Sequence, residues 1–467
     1  MKLHTSIVPV LAAVPALAQT EPQTLDVLWE VPLNSPSFGG AATADVDADG
    51  RLEIAFATYF GDSAVRVLNG EDGTELWKYQ GGGESGTGEC LDASLKLTDL
   101  DGDGRLELIA PVSNTSLVLA FDAANGSLLW TYEAGYGECI DTPPTITDID
   151  GDGSPEIAVG TFKGNVHLVT AAGELLRVVK VAPGAVQSGP TIMDLDGDGH
   201  ADIVAANFRG DHKVHAVSIA PAVGEDPEGV VELWSVQTGS HIYHGCSLGD
   251  LDGDGEPELV IASYDGKVYA IRRDGSLLWT CDTNERYIMA PTVIADVDGD
   301  GTPEVIVTCE KITVIRSDGE IMYSVEADPR PNKPYGWPVT RGVAVADLDG
   351  DGELDLAYVT GAGLFRALRG RDGEAIYEFD AATLHDKPLG TGSHCPIIAD
   401  FDGDGRLDVF FVIGGVQGED RHGRAVCLTG FAGSGPGWYM FRHDHLNSGN
   451  VLTPLEPAVA AHIPELK

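Results

Sequence analysis

An acidic six-residue turn, Asp-x-Asp-x-Asp-Gly, occurs eight times along the 467-residue chain, and this constrains its possible folds more than any other feature. The copies begin at Asp45, Asp99, Asp148, Asp194, Asp250, Asp296, Asp347 and Asp400, at intervals of 54, 49, 46, 56, 46, 51 and 53 residues. Each is followed by an acid four residues after its third Asp. A period near fifty, with no helical pattern between copies, is the mark of propeller blades. Chain length alone would suggest about two to four domains; a repeat of this kind builds one unit instead.

Apolar runs flank each turn. Pro291 to Ala295 and Pro396 to Ala399 precede it, while Glu53 to Ala57, Glu304 to Thr308 and Asp408 to Val412 follow. They are short, β-branched and almost continuously hydrophobic, as strands buried on both faces must be. Two further strands close most units. Lys267 to Ile271 leads through Asp274-Gly275 into Ser276 to Trp279, and Asp72-Gly73, Asn125-Gly126, Asp318-Gly319 and Asp372-Gly373 mark the same hairpin elsewhere. The expected fold is all-β, an eight-bladed propeller of four-stranded antiparallel blades. The last unit lacks a clear fourth strand. Leu28-Trp29-Glu30 resembles that strand in other units, where Trp77, Trp130, Trp234 and Trp279 stand. The N-terminal strand is therefore expected to close the ring and remove its free edge.

The acids have the chemistry of cation ligands. Calcium takes six to eight oxygens in a flexible shell, whereas magnesium demands a tighter octahedron and keeps its waters. The expected side-chain ligands are Asp45, Asp47, Asp49 and Glu53; Asp99, Asp101, Asp103 and Glu107; Asp148, Asp150, Asp152 and Glu156; Asp194, Asp196, Asp198 and Asp202; Asp250, Asp252, Asp254 and Glu258; Asp296, Asp298, Asp300 and Glu304; Asp347, Asp349, Asp351 and Asp355; and Asp400, Asp402, Asp404 and Asp408. Up to eight Ca2+ ions would be held. The one departure is Ala48, where the other copies carry Gly, at a position that supplies no side-chain ligand. These sets account for 32 of the 73 acids in a chain of net charge −44. Crowded carboxylates repel one another, so folding and calcium binding are expected to be coupled. The same charge argues against nucleic acid or an anionic membrane surface as partner.

Residues 1–18 read as a secretory signal, with Lys2, an apolar run from Ile7 to Leu17 and a small-x-small site at Ala16-Leu17-Ala18. No run is long and apolar enough to span a bilayer. The propeller is placed at 19–448 with a tail at 449–467, and a secreted monomer, extracellular or periplasmic, is expected. Among seven cysteines, Cys90 with Cys139 and Cys281 with Cys309 are candidate disulfide pairs, and buried free thiols are the alternative.

The turns resemble the FG-GAP/VCBS repeat family, which includes the propeller of integrin α subunits, over about Leu28 to Ser448. Phe38-Gly39-Gly40-Ala41 looks like the motif that names it. The resemblance implies calcium in the loops and one blade per repeat, but no single activity. Gly126 to Trp130 and its copies resemble quinoprotein-type repeats, although the vicinal Cys-Cys pair associated with quinoprotein dehydrogenases is absent. Those tryptophans are expected to pack between blades. The segment Trp438 to Asp444 looks like a tail found on secreted bacterial propellers, with a structural role.

Strand order fixes which loops share a face. The acidic turns and the Asp-Gly hairpins lie on one side, and the second-to-third-strand loops lie with the interblade links on the other. The second side is irregular and collects the unusual residues. Its links carry Glu89, Asp92, Glu138, Asp141, His241, Tyr243, His244, Arg286, Tyr287, Tyr335, Trp337, Arg341 and His394. Its loops add Tyr59, Phe60, Lys163, Phe208, Arg209, Asp211, His212, Tyr264, Asp265, Arg421 and His422. Aromatic rings among polar groups suit sugars. The expected function is binding of extracellular glycans or proteins. The alternative is a lyase on a uronic-acid polymer such as rhamnogalacturonan, using His241, Tyr243, His244, Arg286, Tyr287 and Arg341 as base and carboxylate-neutralising candidates. The rhamnogalacturonan lyases that share the repeat usually carry extra sequence ahead of the propeller, which this chain does not show.

Overall fold

The computed structural model describes residues 22–82, 90–91, 93–219, 230–331, 339–387, 389, 394–417 and 420–466. The signal segment 1–18 and the link residues Glu89, Asp92, Tyr335 and Trp337 fall outside them. Among the described residues the strands form eight separate sheets, each built on four antiparallel strands and one of them with a fifth added, one sheet per acidic turn. In blade one these are Ala42–Ala44, Glu53–Ala57, Ala64–Asn69 and Glu75–Gln80. The second strand of every blade before the last is buried at all its residues, while the fourth strand of blade one is exposed or half-buried throughout. Unbroken apolar runs therefore lie inside the sheet stack, and mixed ones lie at the rim.

The ring closes as the sequence suggests. Blade eight takes Ile397–Ala399, Asp408–Gln417 and Asp420–Thr429 from the C-terminal end and Asp26–Leu33 from the N-terminal end, with Trp29 opposite Cys427. Just before it, Gln23–Thr24 adds a short parallel strand to the outer edge of blade seven. One N-terminal segment thus straps two adjacent blades together.

Each described third-to-fourth-strand pairing carries a one-residue register shift, and beside it stands a side chain that reaches the next blade. Indole N–H groups donate to backbone carbonyls of the neighbouring blade: Trp29 to Gly70 at 2.6 Å, Trp77 to Ala123 at 2.7 Å, Trp130 to Ala171 at 3.0 Å, Trp234 to Arg273 at 2.7 Å and Trp279 to Ser317 at 2.7 Å. In blade six the Tyr323 hydroxyl donates to Gly370, and in blade three the Arg177 guanidinium donates to Ile219. The tryptophans are packing residues. They also explain the hairpin glycines: Gly126 has φ +72°, and a Cβ there would lie 2.6 Å from the Trp77 ring. Gly126→Ala should cost about 1–3 kcal/mol, read as a lower denaturant midpoint at unchanged slope.

The chain's last segment occupies the centre of the ring. The Trp438 and Ile398 backbones pair in both directions at 2.9 Å. Thr43 donates to the Tyr439 carbonyl, Ile146 to His445, Leu248 to Ser448 and Ile294 to Gly449. All of these partners are first-strand residues, from blades eight, one, three, five and six. Residues 437–451 therefore run within the channel as a hairpin. They pass on to a short helix, Pro457–Ala461, after which the His462 carbonyl accepts from Asp45 in the first acidic turn. Trp438 is fully buried. A division at 448/449 would cut this hairpin in its returning arm. All seven cysteines are free thiols, so neither candidate disulfide is formed.

Candidate functional site

The acidic turns share one local geometry. In blade six, Asp296 accepts from the backbone of Gly299 and Gly301 through its two oxygens, while Glu304 folds back to accept from Val297 at 3.1 Å. The contact from the second glycine and that of the closing acid recur in the other turns and place three carboxylates together. In the groups around Asp45, Asp99, Asp148, Asp194 and Asp250, the first Asp, the second Asp and the closing acid bring oxygens within 4.8 Å of one another, and three more such groups exist. The third Asp of these five turns (Asp49, Asp103, Asp152, Asp198 and Asp254) lies outside the trio. It accepts instead from the backbone two residues on.

The residues present fit a divalent cation. Asp45 Oδ1 and Asp355 Oδ1 are buried oxygens with no hydrogen-bond donor, a costly state for a carboxylate that faces no cation. Burial raises the closing acids, reinforced by the neighbouring aspartates: Glu53 to about 8, Asp355 to about 8, and Glu107 and Glu304 to about 7. Oxygen donors alone, in a loop that can open or tighten, suit a hard cation.

The opposite face gathers a different chemistry. Phe208, on the second-to-third-strand loop of blade four, lies 5.4 Å from the His241 ring, 5.1 Å from Tyr243 and 5.8 Å from Tyr264. His212 meets His241 edge-on at 4.6 Å, and Tyr264 meets Tyr287 at 5.6 Å. Two guanidiniums join from the sides, Arg209 over Phe208 at 5.2 Å and Arg341 over Tyr243 at 5.5 Å. Six rings from blades four to six thus form one array of edge-to-face and tilted contacts with cations at two points. His212 and Tyr287 hold left-handed backbones, with φ of 59° and 58°. Such conformations in bulky residues are sparsely populated and concentrate where a loop is shaped for a ligand.

The six candidates on this face separate on inspection. His241, Tyr243 and Tyr287 belong to the array, and Arg341 caps it. His244 sits beneath, buried, with its Nε2 3.3 Å from Arg341 Nη1. Burial, then Arg341 and Arg442, hold it far below its usual pKa, so it is neutral. Arg286 is exposed, and its backbone carbonyl accepts from the thiol of Cys309, just past the second strand of blade six, at 3.1 Å. Burial, with His212 and Arg209 nearby, lowers His241, and burial raises the Tyr264 hydroxyl, which stays protonated. Phe441 and Arg442 at the tip of the channel hairpin also reach this level, with Phe441 5.8 Å from the His244 ring. The sequence marks them only as part of the structural tail Trp438 to Asp444, since contact across nearly two hundred residues depends on how the ring closes. A smaller cluster stands on blades eight and one, where Arg421 lies over both Tyr59 and Phe60. A cavity of about 930 Å³ opens on the acidic-turn side, against Asp99, Asp148 and Glu456. Its carboxylate lining makes it a poor seat for an anion.

Models of known families match parts of the chain. The FG-GAP-like repeat matches residues 45–110, 148–205 and 347–411, and the lambda-carrageenase beta-propeller domain matches 224–329. Lambda-carrageenases of Pseudoalteromonas sp. and Pseudoalteromonas carrageenovora are each 39% identical over 64 residues, 14% of this chain. The match spans only 7% of the length of those relatives. Among solved structures, the V. cholerae biofilm matrix protein Bap1 aligns at a TM-score of 0.61 and 16% identity, over 86% of this chain and 90% of that one. Quinohemoprotein alcohol dehydrogenase from Comamonas testosteroni aligns at 0.55 and 13%, over 88% and 77%. At such identities these structures speak to the fold alone.

Proposed function

We propose that this β-propeller of FG-GAP-like repeats is a secreted, calcium-stabilised module that binds polysaccharide across the loop-rich face of blades four to six. One observation carries the reading. The continuous array of Phe208, His212, His241, Tyr243, Tyr264 and Tyr287 offers rings to sugar faces, with Arg209 and Arg341 beside them for hydroxyl or acidic groups. His241, Tyr243, Tyr264 and Tyr287 fall within the stretch that resembles a propeller from an enzyme named for a polysaccharide. Among the described residues no helix is long and apolar enough to cross a membrane. Bound calcium would neutralise the acidic turns on the far side, held by the first and second Asp and the closing acid of each turn.

Titration calorimetry against size-defined neutral and acidic oligosaccharides tests this. Tyr287 is 65% exposed, so Tyr287→Ala should leave the melting temperature in place and weaken binding about 3- to 10-fold, as expected for one lost ring contact. Equal affinity in Tyr287→Ala and Tyr243→Ala would remove the array from the binding surface. A lyase reading has one observation in its favour: His241 is held neutral and able to take a proton, with Arg209 close by to neutralise a carboxylate. Absorbance of an unsaturated product from uronate polymers would establish that reading, and its absence across a broad panel would leave binding alone.

A further inference from the structure

Ring contacts run from Phe208 to Tyr264 and on to Tyr287, and an exposed arginine stands at each end of that line. Arg209 lies over Phe208 on the blade-four loop, and Arg286 directly precedes Tyr287 on the link into blade six. Among the described residues neither side chain has an acidic partner or a hydrogen bond, in a chain that holds 73 acids against 29 lysines and arginines. Arginines elsewhere are held by acids: Arg272 by Asp252, Arg330 by Asp328 and Asp380, and Arg371 by Glu353.

The acids of the loops that carry the array are committed to other groups. Asp211 pairs with His215 and accepts from Asn207, and Asp265 accepts from the Tyr269 hydroxyl and from the Gly239 and Lys267 backbones. Glu285 pairs with Lys311 and accepts from the backbone of Glu310, whose own exposed side chain pairs with neither arginine. The backbone beneath both arginines is fixed. Phe208 donates to the Ala185 carbonyl and Ala185 donates to the Arg209 carbonyl, an approach that needs Gly184, where a Cβ would collide with that oxygen. Arg286 lies between Asn284 and Tyr287, both left-handed at φ 58°, and Tyr287 donates to the Tyr264 carbonyl at 3.2 Å. Two guanidiniums are thus displayed to solvent from ordered loops, which lowers the entropy lost when a ligand engages them.

We infer that the array selects an anionic polysaccharide, with Arg209 and Arg286 as specificity-determining residues that each read a carboxylate or sulfate half-ester. The inference rests on the glycan reading proposed above and names its substrate class. A guanidinium offers a planar fork that meets either oxyanion through two parallel charge-assisted hydrogen bonds, a match that a neutral hydroxyl does not provide. Cations at both ends of the line favour a polymer charged on more than one sugar. The acidic turns lie a strand's length away, about 17 Å, while the Debye length at physiological salt is about 8 Å, so they do not cancel the local attraction.

Titration calorimetry of the full calcium-loaded chain with neutral, uronate and sulfated oligosaccharides of equal length tests this. At least one charged series should bind about tenfold more tightly than the neutral one, and the series that gains identifies the oxyanion. Arg209→Gln and Arg286→Gln should each reduce the charged-to-neutral affinity ratio about 3-fold, and the double variant should bring it close to one. Arg316→Gln removes an exposed, unpaired arginine from the acidic-turn side and should leave the ratio as it was. A ratio near one in the intact chain would overturn the inference and leave the array as a site for neutral sugars. A ratio lowered equally by Arg316→Gln would overturn it too, since net charge alone would then matter. No binding of any oligosaccharide would remove the glycan reading together with it.

Discussion

Stripping calcium from the purified protein should lower its melting temperature by at least ~15 °C and expose it to protease. A ligand present at a hundred times its dissociation constant stabilises the folded state by about 2.7 kcal/mol per site, and eight acidic turns offer eight such sites. The turns are poor structures without a cation, because buried acids such as Glu53 and Asp355 sit among other carboxylates. The pH dependence follows with a definite sign. Their folded pKa values are raised to about 8, above the ordinary value of about 4 for an unfolded chain. Between these limits the metal-free folded state holds protons that the unfolded chain has released, so its stability falls as pH rises. The chelated protein should therefore melt highest near pH 5 and lowest near pH 8, and the gain on adding calcium should be greatest at pH 8. Differential scanning calorimetry with and without chelator reads both effects. Identical melting curves would show that the turns hold no ion that matters.

Removing the channel hairpin should be nearly as damaging. Its backbone satisfies first-strand N–H groups on five of the eight blades, and it places the fully buried Trp438 against blade eight. Trp438→Ala should cost about 3–5 kcal/mol, the range for deleting a large buried aromatic side chain. A chain ending at Thr429 should lose that and the hydrogen bonds together, leaving a ring with a water-filled centre. Thermal melts and limited proteolysis of calcium-loaded protein measure the loss. A truncated chain as stable as the intact one would show that the ring is complete without its plug.

The sequence exposed most of the fold because each blade repeats the same physics. Asp-x-Asp-x-Asp-Gly marks the first turn in every blade, and in five blades Trp marks the outer strand. The fourth-strand character of Leu28-Trp29-Glu30 was enough to assign the closing strand, since Trp29 fits beneath Gly73 as Trp77 fits beneath Gly126. The short parallel strand at Gln23–Thr24 carries no such signal, having two residues and no pattern. Candidate residues on the loop-rich face were legible as a type of chemistry but not as a site. His241, Tyr243 and Tyr287 converge because their links enter neighbouring blades. His244, one residue from Tyr243, turns inward and is buried, and Arg286, one residue from Tyr287, stays outside the array. Period-two alternation does not extend into irregular links, so no reading of spacing could separate these neighbours. Arg442 was legible only as part of the tail Trp438 to Asp444: it reaches the Cys246 carbonyl only because the chain's end doubles back through the ring.

The loop-rich face is tested most directly by a crystal structure of the calcium-loaded protein with an acidic oligosaccharide. Sugar rings should lie against Tyr243, Tyr264 or Tyr287, with an acidic substituent directed toward Arg209 or Arg286. An oligosaccharide seated on the acidic-turn face, or an empty array at saturating ligand, would contradict the account.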